Sequence, residues 1–552
     1  MIRNAAKGRP NGPSSAPEIS ADGRFVAFAS RATNLGALDP NGHISDVYLY
    51  DRASGIIGLI SAGPHGQGAS GPSTQPALAE GAKVVVFVST ARNLVPGDTN
   101  PHSDVFAWIA GVGIVRVSVS STGAQANGDS GEPDVSYDGR LVTFSSTASN
   151  LAAGSTGGHR NIYVRDLLSA KTYLVSAPPA NAAPNGDSSA PAISPDGASV
   201  SFFSSASNLV PGDLNRKPDV FVRSLSTGAT QLASVSSAGQ QQNRAVTAPF
   251  AQLSDVSNGG RFVVFDSDAT NLVRGDSNRH TDVFVRDTVA KITRRVSLAT
   301  TDQQSDNDSF APRISADGRF VTFDSFARDL TPFIPAGPNV FVRDLLRHTT
   351  VMADVSAVGR ARSPEHQAQL LQRPSISDDG SLVAFVSSAD NLSGNRAGLQ
   401  NAFVRALLPA PVTKASHRVL FLKGHAVIAF FSHDPQAGPL LCRLDHQPVA
   451  LCPLGLTVLP ALRPGPHVLF AFPGGQGTAY AGQPIVVRIL IRRVGRGRRS
   501  RITAKATVTN PSATAAAAAF QRPGPVGTPG AGSCAIALCL RAYPTEAATP
   551  SG

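Results

Sequence analysis

Four stretches of the chain place an Asp, an Asn two residues on, and a second Asp four or five residues beyond the Asn. They are Asp39, Asn41 and Asp46; Asp98, Asn100 and Asp104; Asp213, Asn215 and Asp219; and Asp276, Asn278 and Asp282. His43, His102 and His280 stand two residues after the Asn in three of them, and Lys217 takes that place in the other. Oxygen-bearing side chains at alternate loop positions suit Ca²⁺, which takes about six to eight oxygen ligands. Against this, no Gly sits at the sharp-turn position and no bidentate Glu follows. The pattern is also missing around Gly154, Phe333 and Asn395. Asx-turns that satisfy loop backbone select the same residues. Calcium is therefore the one cofactor these residues suggest, and plain loop structure competes with it.

Other residues invite acid–base chemistry. Asp266 with Asp268, and Asp378 with Asp379, put carboxylates close in sequence, but spacing alone does not bring their oxygens together. Arg165-Asp166, Arg286-Asp287 and Arg343-Asp344 recur at a strand end, which points to ion pairs between repeats rather than to catalysis. There is no G-x-S-x-G elbow, H-E-x-x-H, P-loop or dinucleotide fingerprint. No residue is assigned a catalytic role, although a site assembled from several repeats would carry no such motif.

The elements that position these residues repeat. An Asp-Gly-like turn recurs at Asp22-Gly23, Glu80-Gly81, Asp138-Gly139, Asp196-Gly197, Gly259-Gly260, Asp317-Gly318 and Asp379-Gly380, with Gly-to-Gly steps of 58, 58, 58, 63, 58 and 62 residues. Each copy reads as four short strands. In the first, residues 17–20 (PEIS) lead through a two-residue Asp-Gly hairpin into residues 24–30 (RFVAFAS). A long loop with Asn34-Leu35 reaches residues 46–51 (DVYLYD), and a Ser54-Gly55 turn leads to a fourth strand. Runs such as residues 84–88 (VVVFV) are apolar on both faces, so each sheet must be covered on both sides. A ring of four-stranded sheets packed face to face achieves that.

The recurring P-x-[IV]-S-x-D-G-R-[FL]-V-x-F, as in residues 312–323 (PRISADGRFVTF), and the D-V-F-V-R of residues 219–223 and 282–286 resemble the TolB-like, WD-repeat-like β-propeller family. The resemblance covers about residues 11–416 and implies an all-β, seven-bladed β-propeller over residues 1–416. It implies binding or scaffold roles and brings no shared catalytic residues. Residues 11–17 (NGPSSAP) match the inter-blade linker at 185–191 (NGDSSAP), so the chain begins inside a linker. Only a weak MIRN precedes it, where other copies carry a strand such as residues 116–118. The expectation is that an upstream exporting segment is missing or that the start lies further upstream, and no obvious swapped strand remains to latch the ring, whose closure the sequence leaves open. Residues 412–416 read as the last strand.

Residues 417–491 carry a different pattern: F-S, then C-x-L-D-x-x-P-x-x-x-C, then L-x-x-G-x-H. It resembles a small bacterial immunoglobulin-like β-sandwich of surface and secreted proteins. Cys442 and Cys452 would staple such a small domain through a disulfide, and two free buried thiols are the alternative. Residues 492–552, with six Arg in the ten residues 492–501 and an Ala-, Pro- and Gly-rich remainder, read as a disordered tail. Cys534 and Cys539 fall in it without a role.

The net charge of +11 is uneven. Residues 1–413 hold 34 Lys+Arg against 35 Asp+Glu, and residues 414–552 hold 15 against 3. Nucleic acid is thus an unexpected partner for the propeller, while the basic tail is a candidate contact for an anionic polymer. No apolar run approaches the roughly 18 residues of a transmembrane helix, and no signal peptide is visible. Two functions from different classes fit. One is an extracellular, cell-surface or periplasmic protein that binds a protein or glycan. The other is a propeller hydrolase or lyase acting on polysaccharide, or a calcium-dependent adhesion protein. Inward-facing acids, His and Arg from several blades around one deep pocket would favour the enzyme.

Overall fold

The computed structural model describes residues 1–407 apart from 4–7, 37–40, 156–157, 180–181, 245–251, 332–333, 335–336, 356–372, 390–391 and 393–398, and beyond 407 the backbone of the strands alone. Seven antiparallel four-stranded sheets form a β-propeller, six of them built from consecutive strands. Blade 1 consists of Ser14–Ile19, Phe25–Ser30, Asp46–Asp51 and Ile56–Leu59. The first strands of successive blades neighbour one another all the way round, blade 7 meeting blade 1, and so they line the axis.

One aromatic pair per blade explains much of the Phe content. The second strand supplies Phe28, Phe87, Phe144, Phe202, Phe265, Phe323 or Phe385. Each stacks on Tyr48, Phe106, Tyr163, Phe221, Phe284, Phe341 or Phe403 of the third strand, with centroids 5.6–5.9 Å apart. Such pairs add about 0.5–1.5 kcal/mol each beyond the area they bury. The apolar clusters lie between blades, which is why both faces of each sheet had to be apolar.

The hairpin differs from the two-residue turn expected. Ser20 N–H bonds Phe25 O at 2.9 Å and Gly23 N–H bonds Ser20 O at 2.8 Å, which encloses a four-residue loop. Gly23 alone in it has positive φ, at 69°. Asp22 acts through its side chain, accepting the Ser20 hydroxyl at 2.5 Å and the Arg24 N–H at 2.9 Å. The same Ser–Asp bond recurs at Ser136–Asp138, Ser194–Asp196, Ser315–Asp317 and Ser377–Asp379.

Ile2 of the weak N-terminal segment supplies a contact that closes the ring, a question the sequence left open. In blades 1 to 6 the residue after the fourth strand bonds back to the third strand, as Val117 N–H does to Val105 O at 2.8 Å. Ile2 N–H makes the corresponding 2.8 Å bond to Ala402 O of blade 7, and its side chain is buried among Phe28, Tyr48, Ala384 and Ala402. The fourth strand of that blade is Ala479–Ala481. Residues 412–416 lie outside the described residues.

A second compact unit comprises residues 409–476 and 482–552. It contains a three-stranded sheet of His417–Leu422, His425–Phe430 and Gly455–Val458. Its five-stranded sheet runs Ala450–Cys452, Leu440–Leu444, Gly465–Pro473, Ile485–Val494 and Arg501–Val508, so pairing extends past residue 491. The strands carrying the two cysteines are adjacent, with Cys442 opposite Ala450 and Cys452 opposite Leu440. Their side chains, and Cys534 and Cys539, lie outside the described residues. Among the described residues no helix is long and apolar enough to cross a membrane.

Candidate functional site

Two sets of polar residues emerge, one along the axis and one in the long loops. The axial set occupies the same register position in every first strand, the x of P-x-[IV]-S: Glu18, Ala77, Asp134, Ala192, Asp255, Arg313 and Ser375. A bulge just before this position turns the strand, and Ala16, Gln75, Glu132, Ala190 and Ala311 adopt positive φ there, between 45° and 54°. Arg313 is the hub, 2.8 Å from Glu18 Oε2 and 3.9 Å from Asp255 Oδ1.

Asp134 and Asp255, and Glu132 beside them, also cap backbone N–H groups of the next blade. Asp134 takes Ile193 N–H and Asp255 takes Ile314 N–H, both at 2.9 Å, and Glu132 takes Ala190 N–H at 2.9 Å. Between blades 7 and 1, Ser375 Oγ accepts Ile19 N–H at 3.0 Å and donates to Glu18 Oε1 at 3.1 Å. Burial pushes Glu18 up and Asp134 up to about 6. Burial lowers Arg373 to about 10, with Arg313 adding to the effect. Burial opposes the charge on Arg313 too, but Glu18 and Asp255 more than offset it.

At the hairpin end of the axis, Tyr137 of blade 3 reaches across to blade 7 and donates its hydroxyl to Asp378 Oδ1 at 2.7 Å. Backbone bonds from Glu80 to Tyr137, Tyr137 to Pro195, Asn258 to Ala316 and Asp378 to Ala21 gather the hairpins around it. Burial and the Asp378 carboxylate hold the Tyr137 phenol well above its usual range. This crosswise plug had no signal in the sequence, because Tyr137 and Asp378 are 241 residues apart.

The structure separates the suspected acid–base couples. Asp266 is fully buried and accepts N–H bonds from Gln252 at 2.7 Å and Ala311 at 3.2 Å, whereas Asp268 accepts the Thr281 hydroxyl at 2.6 Å. Asp378 serves Tyr137, and Asp379 serves the Ser377 hydroxyl of its own turn. Of the Arg-Asp repeats only Arg343 forms an ion pair toward the preceding blade, with Asp302 of the linker at 2.7 Å. Asp166, Asp287 and Asp344 pair within their blades with Arg140, Arg261 and Arg319 at 2.7, 3.2 and 2.8 Å. Arg165, Arg286 and Arg343 do reach the preceding linker, through the carbonyls of Ser120, Ser236 and Ala299.

In the long loops the second Asp is buried at the start of the third strand. It accepts a hydroxyl from beyond the fourth strand: Ser61 to Asp46 at 2.7 Å, and Ser118 to Asp104, Ser234 to Asp219 and Ser297 to Asp282 at 2.5 Å. The Asn shapes the turn, with Asn100 Oδ1 accepting His102 N–H at 2.9 Å and Asn215 Oδ1 accepting Lys217 N–H at 2.9 Å. Asn41 donates to Ala69 O at 3.0 Å. Asp39 lies outside the described residues.

In blades 2 and 5 an arginine from the fourth strand stands between the two carboxylates. Arg116 is 2.8 Å from Asp98 and 3.5 Å from Asp104, and Arg295 is 3.0 Å from Asp276 and 3.4 Å from Asp282. Sequence spacing within the loop could not reveal these arginines, which arrive from another strand. The histidines turn away from this pair, His102 to Asp129 at 3.4 Å and His280 to Asp308 at 3.0 Å, both in the next linker. Burial raises Asp104, Asp213 and Asp276, and carries Asp219 and Asp282 up to about 6. Beside one of these loops, Thr99, Asn100, Pro101, His102 and residues 123–127 line an open cleft of about 590 Å³.

The fold is therefore that of a seven-bladed β-propeller. No protein-family model matches the sequence, and no curated protein does. Among solved structures the chain is similar to TolB from Acinetobacter baumannii, at 14% identity over 71% of this chain and 74% of that one, with a TM-score of 0.34. It is similar to an oligogalacturonate lyase from Vibrio parahaemolyticus, at 10% identity over 72% and 92% of the two chains, TM-score 0.43. An oligogalacturonate lyase in complex with manganese matches at 12% identity over 74% and 95%, TM-score 0.44.

Proposed function

We propose that this chain is a non-catalytic, extracytoplasmic binding or scaffold protein whose propeller loops engage a protein or a glycan. One observation carries the reading: the axial charges are spent on the propeller itself. Arg313 neutralises Glu18 and Asp255, Asp134 and Asp255 cap N–H groups of the next blade, and Tyr137 with Asp378 crosses the hairpin end. An acid–base site needs a carboxylate free to meet substrate, and these have partners already. The loop rims instead present polar groups at the surface, with Thr99, His102 and Asn127 lining the open cleft. Such groups suit hydroxyl-rich or peptide ligands. The cysteine pair and the basic run near residue 496 fit a location outside the cytoplasm, in contact with anionic surface polymer.

A glycan array probed with the full chain, alongside turnover assays on pectic oligosaccharides and peptides with and without Mn²⁺, tests this. The expected result is saturable binding that survives Asp134→Asn and is lost in the double variant His102→Ala, Asn127→Ala, with no turnover. Turnover abolished by Asp134→Asn would replace the scaffold with an enzyme working along the axis.

A further inference from the structure

The loop carboxylates of blade 4 differ from their counterparts in one respect. Arg116 in blade 2 and Arg295 in blade 5 pair across the strands with Phe106 and Phe284, the third residue of the third strand. The residue at that register in blade 4 is Leu232, opposite Phe221. Blade 4 thus keeps both acids, Asp213 and Asp219, and lacks the guanidinium that stands between the corresponding acids in blades 2 and 5.

The consequences show in the hydrogen bonding. In blades 2 and 5 the loop Asn donates to Oδ2 of the strand Asp, Asn100 to Asp104 at 2.9 Å and Asn278 to Asp282 at 3.1 Å. Asn215 donates to Gln242 O at 3.3 Å, as Asn278 also does to Ser305 O at 3.0 Å. Asp219, fully buried, has no hydrogen bond of good geometry at Oδ2, only the nearby Asn215 and Gln242 amides, and Asp213, only 8% exposed, has none at Oδ1. The charged group that Asp219 feels is the other carboxylate, Asp213. Two buried like charges without a counter-charge are costly, whereas a cation between them is favoured. We propose that blade 4 binds a calcium ion between Asp213 and Asp219, in the place that blades 2 and 5 fill with an arginine side chain. Carboxylate oxygens on a loop suit a hard cation, and Ca²⁺ completes its shell with backbone carbonyls and water.

The test is thermal unfolding of the full chain in millimolar Ca²⁺ and in chelator, with bound calcium counted by equilibrium dialysis. Wild type should melt a few degrees higher with calcium. Leu232→Arg supplies the guanidinium of blades 2 and 5, and should melt higher in chelator and bind one ion fewer per chain. Asp219→Asn installs the residue that blades 3, 6 and 7 carry here, Asn161, Asn339 and Asn401. It should fold and likewise lose the ion. Equal melting of wild type with calcium and with chelator would overturn the proposal, as would calcium binding kept in full by both variants.

Discussion

At the residue scale, the acids divide by what they meet. Asp51 and Asp166 hydrogen-bond Arg24 and Arg140, which hold them well below the usual carboxylate range. Asp266 meets N–H groups in a fully buried site, and burial outweighs them and the Arg373 charge, pushing it up to about 7. Its ordinary value is about 3.9, so between roughly pH 4 and 7 the native chain holds a proton that the unfolded chain has released. Stability contributed by that proton falls as pH rises through the window, by at most about 1.4 kcal/mol per pH unit. Asp134, Asp219 and Asp282, pushed up to about 6, act in the same direction. Urea unfolding should therefore show lower stability at pH 8 than at pH 5. Asp266→Asn should flatten that slope whatever its absolute stability, and an unchanged slope would mean that Asp266 is ionised throughout. The Asp-x-Asn loops were legible in the sequence as polar turns. Their arginines were not, because a strand partner is fixed by register rather than by proximity in the chain.

At the element scale, the propeller is held by devices repeated with small changes. A paired serine joins first and second strands, Ser14 to Ser30 at 3.0 Å and Ser130 to Ser146 at 2.9 Å. The Ser-x-Asp-Gly turn closes five of the seven hairpins, and Gly318 shows why glycine is needed: its φ is 76°, and a Cβ there would meet the Phe262 ring at 2.2 Å. The turn residues were visible from sequence and the loop length was not, since both turn lengths place an Asp-Gly between two strands. The latch is the element whose weight the sequence concealed. Ile2 is 4% exposed and bridges blades 7 and 1, the seam where a ring opens. Truncating a buried Ile to Ala costs about 2–5 kcal/mol. Ile2→Ala should lower the unfolding midpoint accordingly and expose the seam to hydrogen exchange first, and a change of a few tenths would mean the latch is idle.

At the scale of the whole molecule, two units with different chemistry share one chain. The propeller is almost neutral and stapled by hydrogen bonds between blades, while the excess of positive charge falls after residue 413. The adjacency of the strands Leu440–Leu444 and Ala450–Cys452 brings Cys442 and Cys452 into neighbouring strands, two residues out of register. We expect non-reducing peptide mapping of exported protein to recover them as a linked pair. Alkylation of both thiols would remove the disulfide and, with it, the main chemical argument for an oxidising compartment.

Composition and period by themselves determined the architecture. Seven copies of a pattern apolar on both strand faces can bury those faces only against one another, and a ring of blades leaves none exposed. What the tertiary structure alone decided is the fate of each charge. Glu18, Asp134, Asp255 and Arg313 come from four different blades, and a short segment of sequence carries no record of which of them meet. Electrostatic pairing acts over a few ångströms of space, and in this ring that distance spans hundreds of residues of chain, as the Glu18–Arg313 bond does.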